Sequence, residues 1–545
     1  MYKNMKDVYH NHCSLIKQYR YEISLTLSFI FALFFRLRVE DPMFYGDSFI
    51  YYSRAVEIYN NGSYSPTQYP MGYPLILASS FYLLGMSIHS AHVITAVFGS
   101  LTVFPVYFLT KELFTQKIAV ISAFLIAITP LHILISAGLW SDAPALFFLT
   151  TSIYFLVRYN KTEHSRYLYL FAIFVAFATL IRYTSAVFFL FAFIYLLFRK
   201  KDILSFLKKK DLYIAILICL IVLAPQLIYN TSHFGGPFNT VYMAHENIFS
   251  WRYLFETPPY GDSPTTFAYA YAILFWTYDF GSPFHLLAKS TFIPPILTIF
   301  SLLGFLILYR SKKYSEFLLF SLWIILPIIP LLLFFNCKLW QVSRYLLVIH
   351  PPAIIMGTYG IFESTKKVGQ KLSSLTTLKS DSLTAILNIC IILLIITPMI
   401  TVSVLIKPPP EDSLGREIRA HFESLANKYV IFSVERHEAF RDAHVWIKTH
   451  RSNDTLVIGR SDDIRYEFYA GDMVPLNTSV EQLKEKIEKA NDSYIIVYTR
   501  SNDTIDIPEN IKWIINNYNY TLVKSFDTHF RGEKWNIYYR GGERT

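Results

Sequence analysis

Apolar residues in this chain arrive in long blocks separated by short polar turns, near 22–37, 91–110, 117–138, 143–158, 166–181, 184–198, 212–229, 290–310, 315–335, 345–363 and 384–406. Runs approaching ~20 apolar residues read as membrane-spanning helices, because only a helix satisfies its own backbone polar groups in lipid. A further run, 72–88 (GYPLILASSFYLLGMSI), is equally apolar. After about residue 410 the pattern changes. DAHVWIKTH, SVEQLKEKIEKA and PENIKWIINNY follow a helical period, while TLVIG, SYIIVYTR, TLVKSF and KWNIYY read as strands. The expected architecture is a polytopic α-helical membrane domain over 22–406, preceded by a cytoplasmic segment 1–21. An extracytoplasmic α/β domain over 407–545 follows it.

Basic clusters set the expected orientation. Lys3 to Arg20, Lys111 to Lys117, Arg158 to Arg166, Arg199 to Lys210, Arg310 to Lys313 and Lys366 to Lys379 all fall on one side if 72–88 does not span. The positive-inside rule therefore predicts eleven spans, a cytoplasmic N-terminus and an external C-terminus. The run 72–88 then lies in the interface or against the bundle, inside a first external loop of 38–90. Five Asn-X-Ser/Thr sequons after the last span, at Asn453, Asn477, Asn491, Asn502 and Asn519, agree with an external tail. Arg36 and Arg38 follow the first span where a cleavage site would need small residues, so that span is read as a retained anchor.

Composition fits this class: 53% hydrophobic, 17% aromatic and 17% charged residues, with a mean hydropathy of +0.33. The net charge of +10 sits in short clusters between spans, which speaks for a bilayer partner and against nucleic acid. Cys13, Cys219, Cys337 and Cys390 show neither metal-ligand spacing nor a disulfide framework.

The candidate chemistry lies at the outer ends of the spans. The first loop carries Glu40, Asp41, Asp47 and Arg54; AGLWSDAPALFF carries Asp142; LIRYTS carries Arg182; NCKLWQVSRYLLVIHPP carries Lys338, Arg344, Tyr345 and His350. Carboxylates near a bilayer surface are costly unless partnered, and so are functional candidates. Asp47 and Asp142 also suit helix N-termini, and Arg182 and Arg344 suit interfacial snorkelling. His350, beside Pro351 and Pro352, reads first as a packing residue. Acidic and basic groups from separate outer loops share one depth, whereas a transporter would keep its site at mid-membrane.

GDSFIYYSRAVEIYNNG with YPMGYPLILASSFYLLG, SDAPALFFLTTSIYFLVR, LIRYTSAVFFL and SRYLLVIHPP, in that order, resemble the GT-C superfamily of membrane glycosyltransferases. Within it they are similar to the dolichyl-phosphate-mannose protein mannosyltransferases and aminoarabinose lipid A transferases. The resemblance covers most of 20–365, and the tail resembles the external domain of prokaryotic members. The family's acidic pair departs here to Asp47-Ser48, and no Asp-X-Asp triplet of the oligosaccharyltransferase branch is present. Divalent-metal dependence is left open.

The resemblance implies a polyprenyl- or dolichyl-phosphate sugar donor, mannose or a related hexose, and a hydroxyl acceptor on protein, glycan or lipid. Asp47 is the expected base, with Asp142 as second carboxylate. Arg344, Arg182 and Lys338 are expected to bind the donor phosphate, with Asp41, Arg54, Tyr345 and His350 in support. The competing reading is a transporter or flippase of lipid-linked glycans, for which Pro294-Pro295, Pro327 and Pro330 are the suggestive helix breaks.

Overall fold

The computed structural model describes residues 2–38, 47–67, 69–199, 207–239, 295–333, 345–376, 379–405, 442–451, 455–459, 474–475, 478–490, 492–499, 509–527 and 534–541. The chain divides into two compact units, residues 1–42 with 51–427, and residues 43–50 with 428–545.

The larger unit is helical. It begins with α1 (Tyr2–Leu37), α2 (Asp47–Asn61, of which 51–61 belong to this unit), α3 (Gly72–Leu84), α4 (Ile88–Leu101), α5 (Val103–Leu113), α6 (Gln116–Ala127) and α7 (Pro130–Ala137). There follow α8 (Asp142–Thr162), α9 (Ser165–Ile181), α10 (Val187–Arg199) and α11 (Lys210–Phe234). The last are α12 (Pro295–Arg310), α13 (Tyr314–Leu333), α14 (His350–Ser373) and α15 (Ser380–Leu405). Large apolar side chains stay exposed on α1 (Leu27, Ile30, Phe34), on α11 (Leu217, Ile221, Ile228) and on α15 (Ile389, Leu393, Leu394). Helices apolar on their outer as well as inner faces suit a lipid environment.

Among the described residues four helices are long and apolar enough to cross a bilayer: Ile88–Leu113, Lys210–Phe234, Leu346–Ser373 and Ser380–Thr397. The helix of 72–84 has 13 residues, hence a length of about 20 Å, well short of a ~30 Å hydrocarbon core. One expected span has a different form. The block 117–138 is not one helix but the pair α6 and α7, bent by 52°. Pro130 opens α7 and has no N–H with which to continue the helix before it.

The smaller unit contains the helices α16 (442–450), α17 (Val480–Lys489) and α18 (Glu509–Asn517). Its strands β1 (Leu456–Gly459), β2 (Val474–Pro475), β3 (Asp492–Thr499), β4 (Thr521–Asp527) and β5 (Lys534–Gly541) form one sheet in the order β2-β1-β3-β5-β4. β1 runs parallel to β2 and β3, whereas β5 is antiparallel to β3 and β4. Leu483 and Ile487 of α17 and Ile511 and Ile514 of α18 bury against Ile458, Ile495 and Val497 of the sheet. The helices thereby cover the apolar face that the alternating strand pattern produces. Buried Tyr520 shares a 2.5 Å hydrogen bond with Ser493, and burial pushes its hydroxyl up to about 12. Asn519, one of the five sequon asparagines, takes a left-handed turn at φ 53° just before β4. The other four lie outside the described residues.

Candidate active site

Two helix ends bring the best-defined pair of predicted residues together. Asp142 is the first residue of α8, and Arg182 follows the last residue of α9. Arg182 Nη1 donates to Asp142 Oδ1 at 2.6 Å, with side chains only 13% and 5% exposed. The Arg182 guanidinium lies 4.8 Å from the centroid of the Tyr345 ring, and its Nε donates to Thr184 Oγ1 at 3.4 Å. Asp142 makes no cap: Ser141 is the N-cap residue, without a side-chain cap bond. Neither isolated capping nor snorkelling describes these side chains, because each finds its opposite charge.

The contrast with the far ends of the same helices is informative. There Arg158 donates to Glu112 at 2.9 Å and to Tyr167 at 2.9 Å, with 30% and 20% side-chain exposure for the ion pair. Such half-wet pairs are ordinary surface stabilisation. A pair as dry as Asp142–Arg182 holds together only because each charge compensates the other's desolvation.

An aromatic wall adjoins the pair. The Tyr51 hydroxyl of α2 shares a 3.0 Å hydrogen bond with Ser141. Its ring lies 4.8 Å from that of Tyr69 and 4.9 Å from that of Tyr73, and the Tyr73 hydroxyl bonds Thr95 at 2.8 Å. The tyrosines of the YYSRAVEIY segment recur at helical spacing, so one face of α2 meets α3, where Tyr52 and Tyr59 pack on Phe81.

The first loop is tied down from its other side. Arg54 pairs with Glu57 on α2, and Glu57 Oε2 accepts from the Ser65 N–H at 3.1 Å. The Tyr64 hydroxyl donates to the Tyr69 carbonyl at 2.9 Å, and burial holds it well above the usual tyrosine range. The Met71 N–H donates to Gln226 Oε1 at 2.9 Å, while Gln226 Nε2 donates to Tyr183 and Asn230 at 2.8 Å each. Sequence reasoning missed Gln226 and Asn230. The available signal was two amides four residues apart in an otherwise apolar span, beside Pro225.

Gly72 lets α3 start where it does. A Cβ there would stand 2.5 Å from the Leu180 carbonyl oxygen, two residues before Arg182. Gly72→Ala is therefore expected to destabilise by about 1–3 kcal/mol, because backbone rather than a flexible side chain must yield. Thermal melting of the purified protein measures it, and an unchanged midpoint would contradict this close approach.

The structure describes two of the remaining predicted residues, Asp47 and His350. Asp47 opens α2 as the acid of its first turn. His350 is fully buried at the start of α14, within coulombic reach of His132. Asp41, Lys338 and Arg344 lie outside the described residues, Arg344 directly preceding Tyr345. Among the described residues no three His, Cys, Asp or Glu side chains converge as a metal site.

A family model for dolichyl-phosphate-mannose-protein mannosyltransferase matches residues 68–229, which include Asp142 and Arg182 but neither Asp47 nor Tyr345. No curated protein sequence matches the chain. Among solved structures, apo ArnT from Cupriavidus metallidurans superposes with a TM-score of 0.58 at 10% identity, covering 94% of this chain and 97% of that one. ArnT bound to undecaprenyl phosphate gives 0.56 at 9% identity, covering 96% and 98%. The archaeal oligosaccharyltransferase AglB from Archaeoglobus fulgidus, in complex with an inhibitory peptide and a dolichol-phosphate, gives 0.54 at 13% identity, covering 88% and 70%. Identities this low speak for the fold alone. The resemblance to the GT-C membrane glycosyltransferases, carried in the sequence by four motifs, thus extends to the fold of most of the chain and to a dolichyl-phosphate-mannose-protein mannosyltransferase signature over residues 68–229.

Proposed function

We propose that this protein is a membrane glycosyltransferase that moves a hexose, mannose being the first candidate, from a polyprenyl or dolichyl phosphate to an acceptor hydroxyl at the outer membrane face. The observation that carries this reading is the buried Asp142–Arg182 pair beneath Tyr345, inside the segment that matches the mannosyltransferase family. Relatives in fold bind undecaprenyl phosphate and dolichol-phosphate, which supports a lipid-phosphate donor. The acceptor class is a protein, a glycan or a lipid.

In this mechanism the Asp47 carboxylate takes the proton of the acceptor hydroxyl as its oxygen bonds to the anomeric carbon. The bond from that carbon to the phosphate oxygen breaks, and its electron pair leaves with the polyprenyl phosphate. Arg182, oriented by Asp142, and Arg344, with Lys338 in support, stabilise that developing charge through guanidinium and ammonium hydrogen bonds. Positive charge builds on the sugar ring, as in glycoside hydrolysis. A single displacement inverts the anomeric centre. Asp47 is the acid of the first turn of α2. Asp41 and Arg54 support the first loop, Tyr345 stacks on Arg182, and His350 packs. The short helix α3 forms part of the cradle for the donor lipid, with the N-terminus cytoplasmic and the C-terminal domain external.

The test is purified full-length protein with polyprenyl phosphates bearing mannose, glucose or aminoarabinose, each with a Ser/Thr peptide, a glycan or a lipid acceptor. Release of polyprenyl phosphate together with acceptor glycosylation is expected for one pairing, mannose first. Donor moved across a vesicle membrane intact, with no phosphate released, would favour the transporter reading instead.

A further inference from the structure

Arg36 was read from the sequence only as a flank of the first span, yet it is completely buried. It lies at the end of a stripe on α1, Leu25, Ser28, Ala32 and Arg36, spaced three or four residues apart and wholly turned inward. Nη1 donates to the carbonyls of Ala32 at 2.7 Å and Ala127 at 3.1 Å. Nη2 donates to His132 Nδ1 at 3.0 Å. A guanidinium only donates, so in this contact His132 Nδ1 is the acceptor; the same nitrogen also lies 3.4 Å from the Ile126 carbonyl. The Arg36 carbonyl in turn accepts from His92 Nε2 at 3.1 Å. Among the described residues the hydrogen-bond partners of this guanidinium are therefore carbonyls and an imidazole.

Among the described residues no carboxylate pairs with this cation, and burying a charge costs several kcal/mol. Its position accounts for how that cost is met. Ala127 is the last residue of α6, where Pro130 prevents the helix from continuing and leaves terminal carbonyls to be satisfied. The C-terminal end of α6 is also the negative end of its dipole, and a cation belongs there. Arg36 thus caps the break between α6 and α7 from another helix, and through His132 it holds α7 itself. A fourth helix, α4, closes over the joint at Gly99, where a Cβ would stand 3.0 Å from Arg36 Nε and collide with Ser136 of α7. From the end of α7 only residues 138–141 lead to Asp142, so whatever holds α7 also sets the turn bearing Ser141 and Asp142.

We propose that Arg36 is a positioning residue for transfer, a clamp that joins the end of α1 to the α6–α7 break and so holds the Ser141–Asp142 turn in register. Its effect on turnover rests on the glycosyltransferase reading above, whereas the clamp itself does not. The experiment compares full-length wild type, Arg36→Met, His132→Leu and His132→Asn in lipid nanodiscs. Two readouts are taken: turnover of polyprenyl-phosphate mannose, and backbone hydrogen exchange across residues 138–145. For Arg36→Met, turnover is expected to fall roughly 100-fold, the scale of a 1 Å misplacement at a reacting centre. The KM for the donor should stay within about threefold, since no donor contact is removed. Exchange across 138–145 should quicken while that of β3 and β5 does not change. His132→Leu should act in the same direction, and His132→Asn, which keeps an acceptor for Arg36, should restore both readouts. Unchanged exchange at 138–145 in Arg36→Met and His132→Leu overturns the clamp, as does His132→Asn failing like His132→Leu. A loss confined to KM overturns the role in transfer. Should Arg36→Met not fold, the two His132 variants decide by the same criteria. Should the wild type release phosphate from none of the polyprenyl-phosphate sugars, the glycosyltransferase reading falls and the exchange comparison still decides the clamp.

Discussion

Asp47→Asn is expected to stop transfer while leaving the protein folded. Asparagine keeps the size and one oxygen of aspartate but cannot take a proton at neutral pH, so the substitution removes the proposed base. A general base contributes about 10²- to 10⁴-fold, and a loss of that order is expected in released polyprenyl phosphate. Asp47 is the acid of the first turn of α2, where a negative charge contributes only about 0.3–1 kcal/mol through the helix dipole. The thermal midpoint is measured alongside activity, so that loss of transfer in a folded protein is told apart from unfolding. Near-normal release by a well-folded Asp47→Asn protein removes Asp47 as the base.

Separating Asp142 from Arg182 should produce the largest change in stability. With 5% and 13% side-chain exposure and a 2.6 Å contact, each charge is dry and depends on the other. Arg182→Met leaves a buried carboxylate and Asp142→Asn leaves a buried guanidinium, each expected to cost about 3–5 kcal/mol. Both should also lose transfer, because the cation proposed to meet the departing phosphate is either absent or no longer aimed. The double variant Asp142→Leu/Arg182→Met separates the two effects. Removing both charges leaves neither member of this pair facing an unpaired partner, so its stability should recover towards wild type while transfer stays absent. Arg182→Lys is not conservative here, since an ammonium gives up both the guanidinium fork and the planar contact with Tyr345. Strictly additive stability losses across this cycle would show that the pair does not act as a unit.

Much of the architecture was legible because it depends on local pattern. Apolar blocks of span length announce helices wherever they occur in a chain, and strand patterns alternating with amphipathic helices announced an α/β fold in the tail after about residue 410. The motif residues Asp142 and Arg182 were also visible as charges where charge is costly. Their relation was not. They lie forty residues apart on separate helices, and nothing local in SDAPALFF or LIRYTS states that one carboxylate meets one guanidinium. The bend in 117–138 was hidden for a related reason. A proline in an apolar run can be carried by a kinked span, and what makes a full break tolerable is a donor from α1, 91 residues away in sequence.

The chain alone, then, determined the class of protein, the helical blocks and the short list of candidate charges, since hydrophobic length and the cost of charge in lipid act residue by residue. Tertiary structure alone decided the partners: Asp142 with Arg182, Tyr51 with Ser141, and Met71 with Gln226. It also turned Arg36 inward to cap a broken helix. Burial gives a charge or a carbonyl meaning only through what lies opposite it, and that is settled by packing.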